Sequence, residues 1–431
     1  MTDHVSAREA IRRVPAGATL VCTVGCGTPT TLLEELAAAP TAEPRHLYSG
    51  LLLGGYPFLD ALAQGALRYT TWLAMPPIRS ALAAGQASYL PLAGSEVPGF
   101  LATLRPDVGL ARISPPDRHG YVSLGPSVGY SHAVLTTSRL RIGEIDPALP
   151  RTHGRSLVHA SAFDILTEST SPTPIYASRP PTELSRRIAA NILELVPRDA
   201  VLQLGIGAIP EALTTALADA DLGRLRFVGM GTDAMVPLIE DGVAPASTVP
   251  APTIAAVELM GSDILMAFAD DNPVVGVYPA DGELHPERLG ELPRFTTINS
   301  ALEIDLAGQA SAEAAGARVI AGIGGSADFV AGATRSDGGV RIIALSATGS
   351  PPAGSDVGPS RIVPALASGS PVTHPHFRVD HVVTEFGYAR ISGRTLEQRA
   401  EALIGVAHPD HRDTLADSVF ARPTTTSRTT R

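Results

Sequence analysis

The sequence predicts an α/β fold built from largely parallel sheets, and three observations predict it. Short apolar runs alternate with Ala/Leu-rich helical stretches, many of them joined by glycine-containing turns. A strand–glycine–helix unit occurs at residues 18–39 and returns at 200–217. The chain has 431 residues, 44% hydrophobic and 18% charged, which is enough material for two or three domains with their own cores.

Taken in order, residues 18–24 read as a buried strand, 25–29 (Gly-Cys-Gly-Thr-Pro) as a turn and 29–39 as the helix that follows. The polar turn Asp117-Arg118-His119-Gly120 runs into a strand beginning at Tyr121. Pro and Ser cluster over 169–181, which marks the domain boundary, and a helix is expected from Thr182 with Glu183, Arg186 and Arg187 on its wet side. Residues 200–204 repeat the strand, 205–210 the glycine loop and 211–217 the helix. Residues 299–305 read as a strand, and the apolar run 317–321 leads into a second glycine loop. Residues 348–360, rich in Gly, Pro and Ser, read as a surface loop. The expected division is an N-terminal domain over 1–175, a C-terminal domain over 182–421 and a disordered Thr/Arg-rich tail over 422–431.

Composition excludes several classes. Net charge is −10, which argues against coating nucleic acid. All 33 basic side chains are Arg, so a Schiff-base lysine, a lysine-bound pyridoxal cofactor and a Walker A lysine are all ruled out. Two cysteines, Cys22 and Cys26, make neither a disulfide scaffold nor a zinc ribbon. The first thirteen residues lack an apolar stretch, and no apolar run reaches the ~18 residues that span a bilayer. A cytoplasmic protein with no membrane or nucleic-acid partner is expected.

Two loops are candidates for chemistry. Gly205-Ile206-Gly207-Ala208-Ile209-Pro210 lies between a strand and a helix, where glycines let backbone approach a ligand and the helix start offers free amides. It is not a dinucleotide fingerprint, because Pro210 stands at the third glycine; tight packing is its alternative reading. Gly322-Ile323-Gly324-Gly325-Ser326 is the second loop. Two such amide-lined loops can meet over one thioester carbonyl and polarise it, or they can be independent turns. His119 reads first as a structural hydrogen-bonder and only second as a base. His374-Pro375-His376 and His408-Pro409-Asp410-His411 lack a third ligand, so no metal is expected. No GxSxG elbow occurs. Glu303 and Asp305 alternate on their strand, positioned either for a site or for a salt bridge.

Taken together, several segments resemble the acetyl-CoA hydrolase/CoA-transferase family, in particular its 4-hydroxybutyrate and butyrate CoA-transferase branch. They are residues 115–125 (PPDRHGYVSLG), 202–210 (LQLGIGAIP), 298–309 (INSALEIDLAGQ), 322–325 with Asp328-Phe329, 383–387 (VTEFG), and 399–404 with 407–410. Six segments in family order span nearly the whole chain. The resemblance implies two CoA-transferase-type, open parallel-sheet domains with the active site in the cleft between them. It implies an acyl-CoA-using enzyme, an oligomer, with a coenzyme A thioester as substrate and no permanently bound cofactor. Its partners would be an acyl-CoA and a small acid or other acyl acceptor. The implied reaction is ping-pong: an enzyme carboxylate attacks acyl-CoA, carries CoA as a glutamyl thioester and passes it to a second acid. Gly205, Gly207, Ala208, Ile209, Gly322, Gly324, Gly325 and Ser326 are the residues implied to hold the CoA thioester.

One departure stands out. Aligning Thr232-Asp233-Ala234 and Glu240-Asp241-Gly242 with the family pattern puts Gly229 where the family carries its nucleophilic glutamate. The glutamine usual after the second glycine pair is Ser326. A shifted alignment would make Asp233 a shorter nucleophile. Asp233 and Glu303 are therefore the carboxylates to watch, and a glycine at 229 is expected to open room for a second substrate or water. The alternatives to CoA transfer are direct acyl transfer to an amine, alcohol or water, and CoA binding without catalysis.

Overall fold

The structure is a computed structural model describing residues 2–420, so the tail expected at 422–431 lies outside the described residues. Among the described residues the first half builds an eight-stranded, wholly parallel sheet. Its strands are β1 (Asp3–His4), β2 (Thr19–Cys22), β3 (Arg45–Ser49), β4 (Leu67–Thr71), β5 (Ser88–Tyr89), β6 (Val108–Ile113) and β7 (Leu140–Ile145). After β8 (His153–Gly154), which goes elsewhere, the chain returns as β9 (Ile165–Glu168). Their spatial order is β1-β9-β7-β6-β2-β3-β4-β5. Every residue of β6 is buried, as a central strand covered on both faces requires. The first strand–turn–helix unit forms as expected, with helix α1 (Thr30–Ala38) after the turn Gly25–Gly27.

The second half builds a nine-stranded sheet. Its strands are β10 (Val201–Gln203), β11 (Arg226–Thr232), β12 (Ile254–Met260), β13 (Val275–Val277) and β14 (Phe295–Ser300). A short strand, β15 (Glu303–Asp305), belongs to a separate three-stranded sheet, and β16 (Val340–Ala344), β17 (His381–Thr384) and β18 (Gly387–Arg390) complete the large one. The order is β18-β17-β16-β14-β10-β11-β12-β13-β8, parallel throughout except for the β17–β18 pair. Helix α2 (Glu183–Leu193) opens this half with a capping box: Ser185 N–H donates to Thr182 Oγ1 at 3.1 Å and Thr182 N–H to Ser185 Oγ at 2.9 Å. The expected strand–glycine–helix unit follows as β10 and helix α3 (Ala208–Leu217).

The halves interlock. Strand β8 pairs with β13, so a segment of the first half forms the edge of the second sheet. Gly154 there has φ +94°, and a Cβ on it would lie 2.5 Å from Val277 O. The loop 126–129 pairs along β12 beyond the end of β13: Val128 and Gly129 N–H donate to Val257 O, and Leu259 N–H to Pro126 O at 2.8 Å.

The segment that leaves the first half is pinned by Arg112, a fully buried side chain on β6. Its guanidinium meets Asp146 at 2.8 Å and Glu144 at 3.3 Å, and donates to Thr28 O, Thr30 Oγ1, Ser169 Oγ and Ser171 O. A buried guanidinium with its donors engaged and two carboxylates beside it satisfies the condition under which an ion pair is tolerated in a core.

Candidate active site

Ligands in open parallel sheets bind beyond the carboxyl ends of the strands, where loops and helix starts present backbone amides. Here the carboxyl ends of both sheets meet. Val24, Leu51 and Trp72 follow β2, β3 and β4; Gly205 follows β10; Asn299 lies near the end of β14. With the loop 322–326 they enclose a cavity of about 320 Å³ between the two halves. The two glycine loops therefore converge on one space.

The second loop is clamped to the first half by backbone. Gly94 N–H donates to Gly324 O at 2.7 Å, and Ala74 N–H to Ala321 O at 3.1 Å. Asp328, in the first turn of helix α4 (Ser326–Arg335), accepts from Ser95 N–H at 3.0 Å and Ser95 Oγ at 2.6 Å. Gly322 makes this approach possible, since a Cβ on it would lie 2.5 Å from Trp72 O and 3.0 Å from Leu73 Cα, both backbone atoms. Gly322→Ala is expected to cost about 1–3 kcal/mol and to lower kcat/KM by at least ~10-fold, because the loop must retreat from the clamp. Urea melts and steady-state kinetics check both effects.

The cavity wall is mostly apolar, with Leu51, Trp72, Leu73, Met75, Leu92 and Phe329 among its residues. Polar groups are few. Gln203 is buried, and its Oε1 accepts from Thr297 Oγ1, which in turn accepts from Asn299 Nδ2 at 2.7 Å. This chain occupies the Gln203 carbonyl and leaves its amide N–H pair as a donor for the space it lines. No Lys, Arg or His lines the cavity among the described residues.

Among those residues Glu258 is the one carboxylate on the wall. It sits in β12, a strand buried along its whole length. Its Oε2 is buried without a hydrogen-bond partner, and burial raises its pKa to about 8. Glycines make its seat: a Cβ on Gly129 would lie 2.9 Å from Oε1, and one on Gly25 3.5 Å from Oε2. A bulge aims it. The β11–β12 register pairs Gly229 with Ala256 but Met230 with Glu258, skipping Val257. Val257 and Glu258 consequently both line the cavity, whereas regular alternation would send Glu258 to the face of Ile254 and Ala256, which join the core packed under α3.

The residues expected from sequence fall into three groups. Gly205, Gly229, Gly322, Gly324, Gly325 and Ser326 line the cavity. Ser326 Oγ closes its own turn by donating to Ile323 O at 2.7 Å. Gly207 caps α3 at φ +116° and lies off the wall, while Ala208 and Ile209 open onto a separate depression beside Thr182 and Arg361. The contact with the cavity thus ends at Ile206, because α3 turns its first residues away.

Three further expectations need correction. Asp233 accepts from Ser262 N–H at 2.9 Å and Leu265 N–H at 3.1 Å, so it caps the helix Asp263–Ala269 and stays off the wall. Glu303 lies in the separate three-stranded sheet and accepts from Ser370 Oγ at 2.9 Å, likewise outside the cavity. Gly229 opens no room: it has φ +89°, and a Cβ there would lie 2.5 Å from Phe329 Cζ, so the phenyl ring already fills the space. Gly229→Glu is accordingly expected to destabilise the fold by about 1–3 kcal/mol and to raise no activity. A chemical melt and a CoA-exchange assay check this.

A cleft between two parallel-sheet domains, lined by residues of two glycine loops and holding one carboxylate among the described residues, is compatible with acyl-transfer chemistry. The chain belongs to the acetyl-CoA hydrolase/transferase family: the family's N-terminal domain matches residues 2–176 and its C-terminal domain residues 261–419. It is 33% identical to 4-hydroxybutyrate coenzyme A transferase of Clostridium kluyveri, over 97% of each chain. It is 34% identical to succinyl-CoA:cyclohexane-1-carboxylate CoA transferase of Geobacter metallireducens, over 95% of this chain and 93% of that one. Among solved structures, RipA from Yersinia pestis superposes with a TM-score of 0.87 at 27% identity, covering 97% of both chains. The 4-hydroxybutyrate CoA-transferase of Porphyromonas gingivalis superposes with a TM-score of 0.78 at 29% identity, covering 98% of both. Proteins named acetyl-CoA hydrolase, such as that of Saccharomyces cerevisiae, are similar over 69% of this chain at 26% identity.

Proposed function

We propose that this protein moves coenzyme A between an acyl-CoA and a monocarboxylic acid with an apolar chain. The observation that carries this reading is the convergence of Gly205 and the loop 322–326 on one interdomain cavity. The glycine-loop backbone and the Gln203 side chain that line it would hold the carbonyl oxygen as it gains charge. The apolar wall, with no cation among the described residues to neutralise a second carboxylate, supports an apolar acyl group over a dicarboxylic one.

Isotope-labelled acetate with butyryl-CoA tests the reading. Labelled acetyl-CoA is the expected product, formed faster than with succinyl-CoA as donor. Free CoA without exchanged thioester would make the protein a hydrolase. A new ester or amide would make it an acyltransferase, and CoA binding without turnover would make it a binding protein.

A further inference from the structure

Glu258 lies outside every segment that the sequence motifs single out. We infer that Glu258, presented from β12 by the bulge opposite Met230, is the group to which the acyl-CoA carbonyl is transferred and on which CoA is then carried. The inference rests on the proposed use of acyl-CoA and deepens it.

Four observations lead to it. First, the cavity offers few other nucleophiles. No Cys, Lys or His lines it among the described residues, and the Ser326 hydroxyl is committed to its own turn. Second, Glu258 is placed by backbone geometry: the skipped Val257 turns it out of the core and into the cavity, opposite Met230. Third, it is prepared for a ligand rather than spent on structure. Among the described residues Oε2 has no hydrogen-bond partner, although buried polar atoms are nearly always paired, and no cation lines the cavity beside it. The Gly129 N–H and the Ser127 side chain favour the charged form of the Glu258 carboxyl without reaching Oε2, whereas Asp233 and Asp328 are engaged by the amides of Ser262, Leu265 and Ser95. Fourth, the first half closes over it with residues that make space: Gly25 and Gly129 would each bring a Cβ close to one of its oxygens.

The chemistry balances without a further reagent. Glu258 Oε attacks the thioester carbon, the C–S bond breaks, and CoA leaves as its thiolate from a mixed anhydride. The thiolate attacks the Glu258 carbonyl carbon, the anhydride C–O bond breaks, and the first acid departs as its carboxylate. A second carboxylate then runs both steps in reverse, regenerating the Glu258 carboxylate and a new thioester. An apolar seat excludes water, which would otherwise hydrolyse the anhydride.

The test is covalent trapping on the intact chain. The protein is mixed with butyryl-CoA, treated with borohydride, digested and mapped by mass spectrometry. The expected result is reduction of the carboxyl of residue 258 to a primary alcohol, dependent on butyryl-CoA. Glu258→Gln, close in size and shape, should lose the trapped product and lower label exchange by at least ~10³-fold while keeping the circular dichroism of the parent. Exchange with trapping at another residue, or full exchange by Glu258→Gln, overturns the inference. Trapping at 258 without exchange leaves it standing and sinks the transfer reading instead. Neither trapping nor exchange overturns both.

Discussion

Glu258→Gln should yield a more stable protein with almost no turnover. Burial holds this carboxyl protonated up to about pH 8, against an ordinary value near 4.5. An unfolded chain releases that proton at neutral pH, so the folded state is penalised. The penalty is absent below about pH 4.5, grows as pH rises towards 8 and is constant above it. Glutamine removes it, for a gain on the order of 3 kcal/mol at pH 7. For a chain of this size that corresponds to a rise in Tm of about 3 °C. The gain should vanish at pH 4, where both forms are neutral; equal stabilisation at pH 4 and pH 7 would contradict the account. In the parent protein kcat/KM should climb with pH, about tenfold per unit, and level off near pH 8, since only the carboxylate attacks. The neighbouring Tyr130 and Cys26 stay neutral through this range, because burial pushes Tyr130 well above its usual value and Cys26 to about 11.

The largest loss of stability is expected at Arg112. Arg112→Ala strands Glu144 and Asp146 in the core beside β6 and frees the carbonyls of Thr28 and Ser171. Removing one partner of a buried ion pair typically costs about 3–5 kcal/mol. The Glu144 carboxyl is already pushed up by burial, and Arg112 is the nearby charge that opposes this. Without Arg112 it should take up a proton. Urea melts at pH 5 and pH 8 check this: the loss should be smaller at pH 5, where the stranded carboxyl is more readily neutralised. A variant within 1 kcal/mol of the parent at pH 8 would show that the cluster is not under strain.

Much of the cavity's lining was legible in the sequence, because it forms where strands end in glycine. Residues 205 and 322–326 announce backbone that must approach a ligand, and both loops line the cavity. The extension of the first loop to Ala208 and Ile209 went too far, since sequence does not show which way the first turn of α3 faces. Asp233 and Glu303 were polar residues in suggestive places, but each is consumed by local hydrogen bonds that only the folded backbone reveals. Glu258 was missed for a different reason. In the run Ile254-Ala-Ala-Val-Glu-Leu-Met260, period-two alternation puts the acid with Ile254 and Ala256 on the core face. Only the one-residue slip beside Gly229 brings it round to the cavity. The available signal was energetic rather than periodic: an acid amid six apolar neighbours is costly without a purpose.

The two-residue strand His153–Gly154 was also invisible, being too short for any pattern. It makes the halves inseparable in a practical sense. Severing the connector between 170 and 181 with a protease would leave a hook of the amino-terminal fragment still laced into the other fragment's β-ladder. The nicked protein should migrate as one particle on gel filtration, and neither piece should be recoverable in native form when expressed by itself.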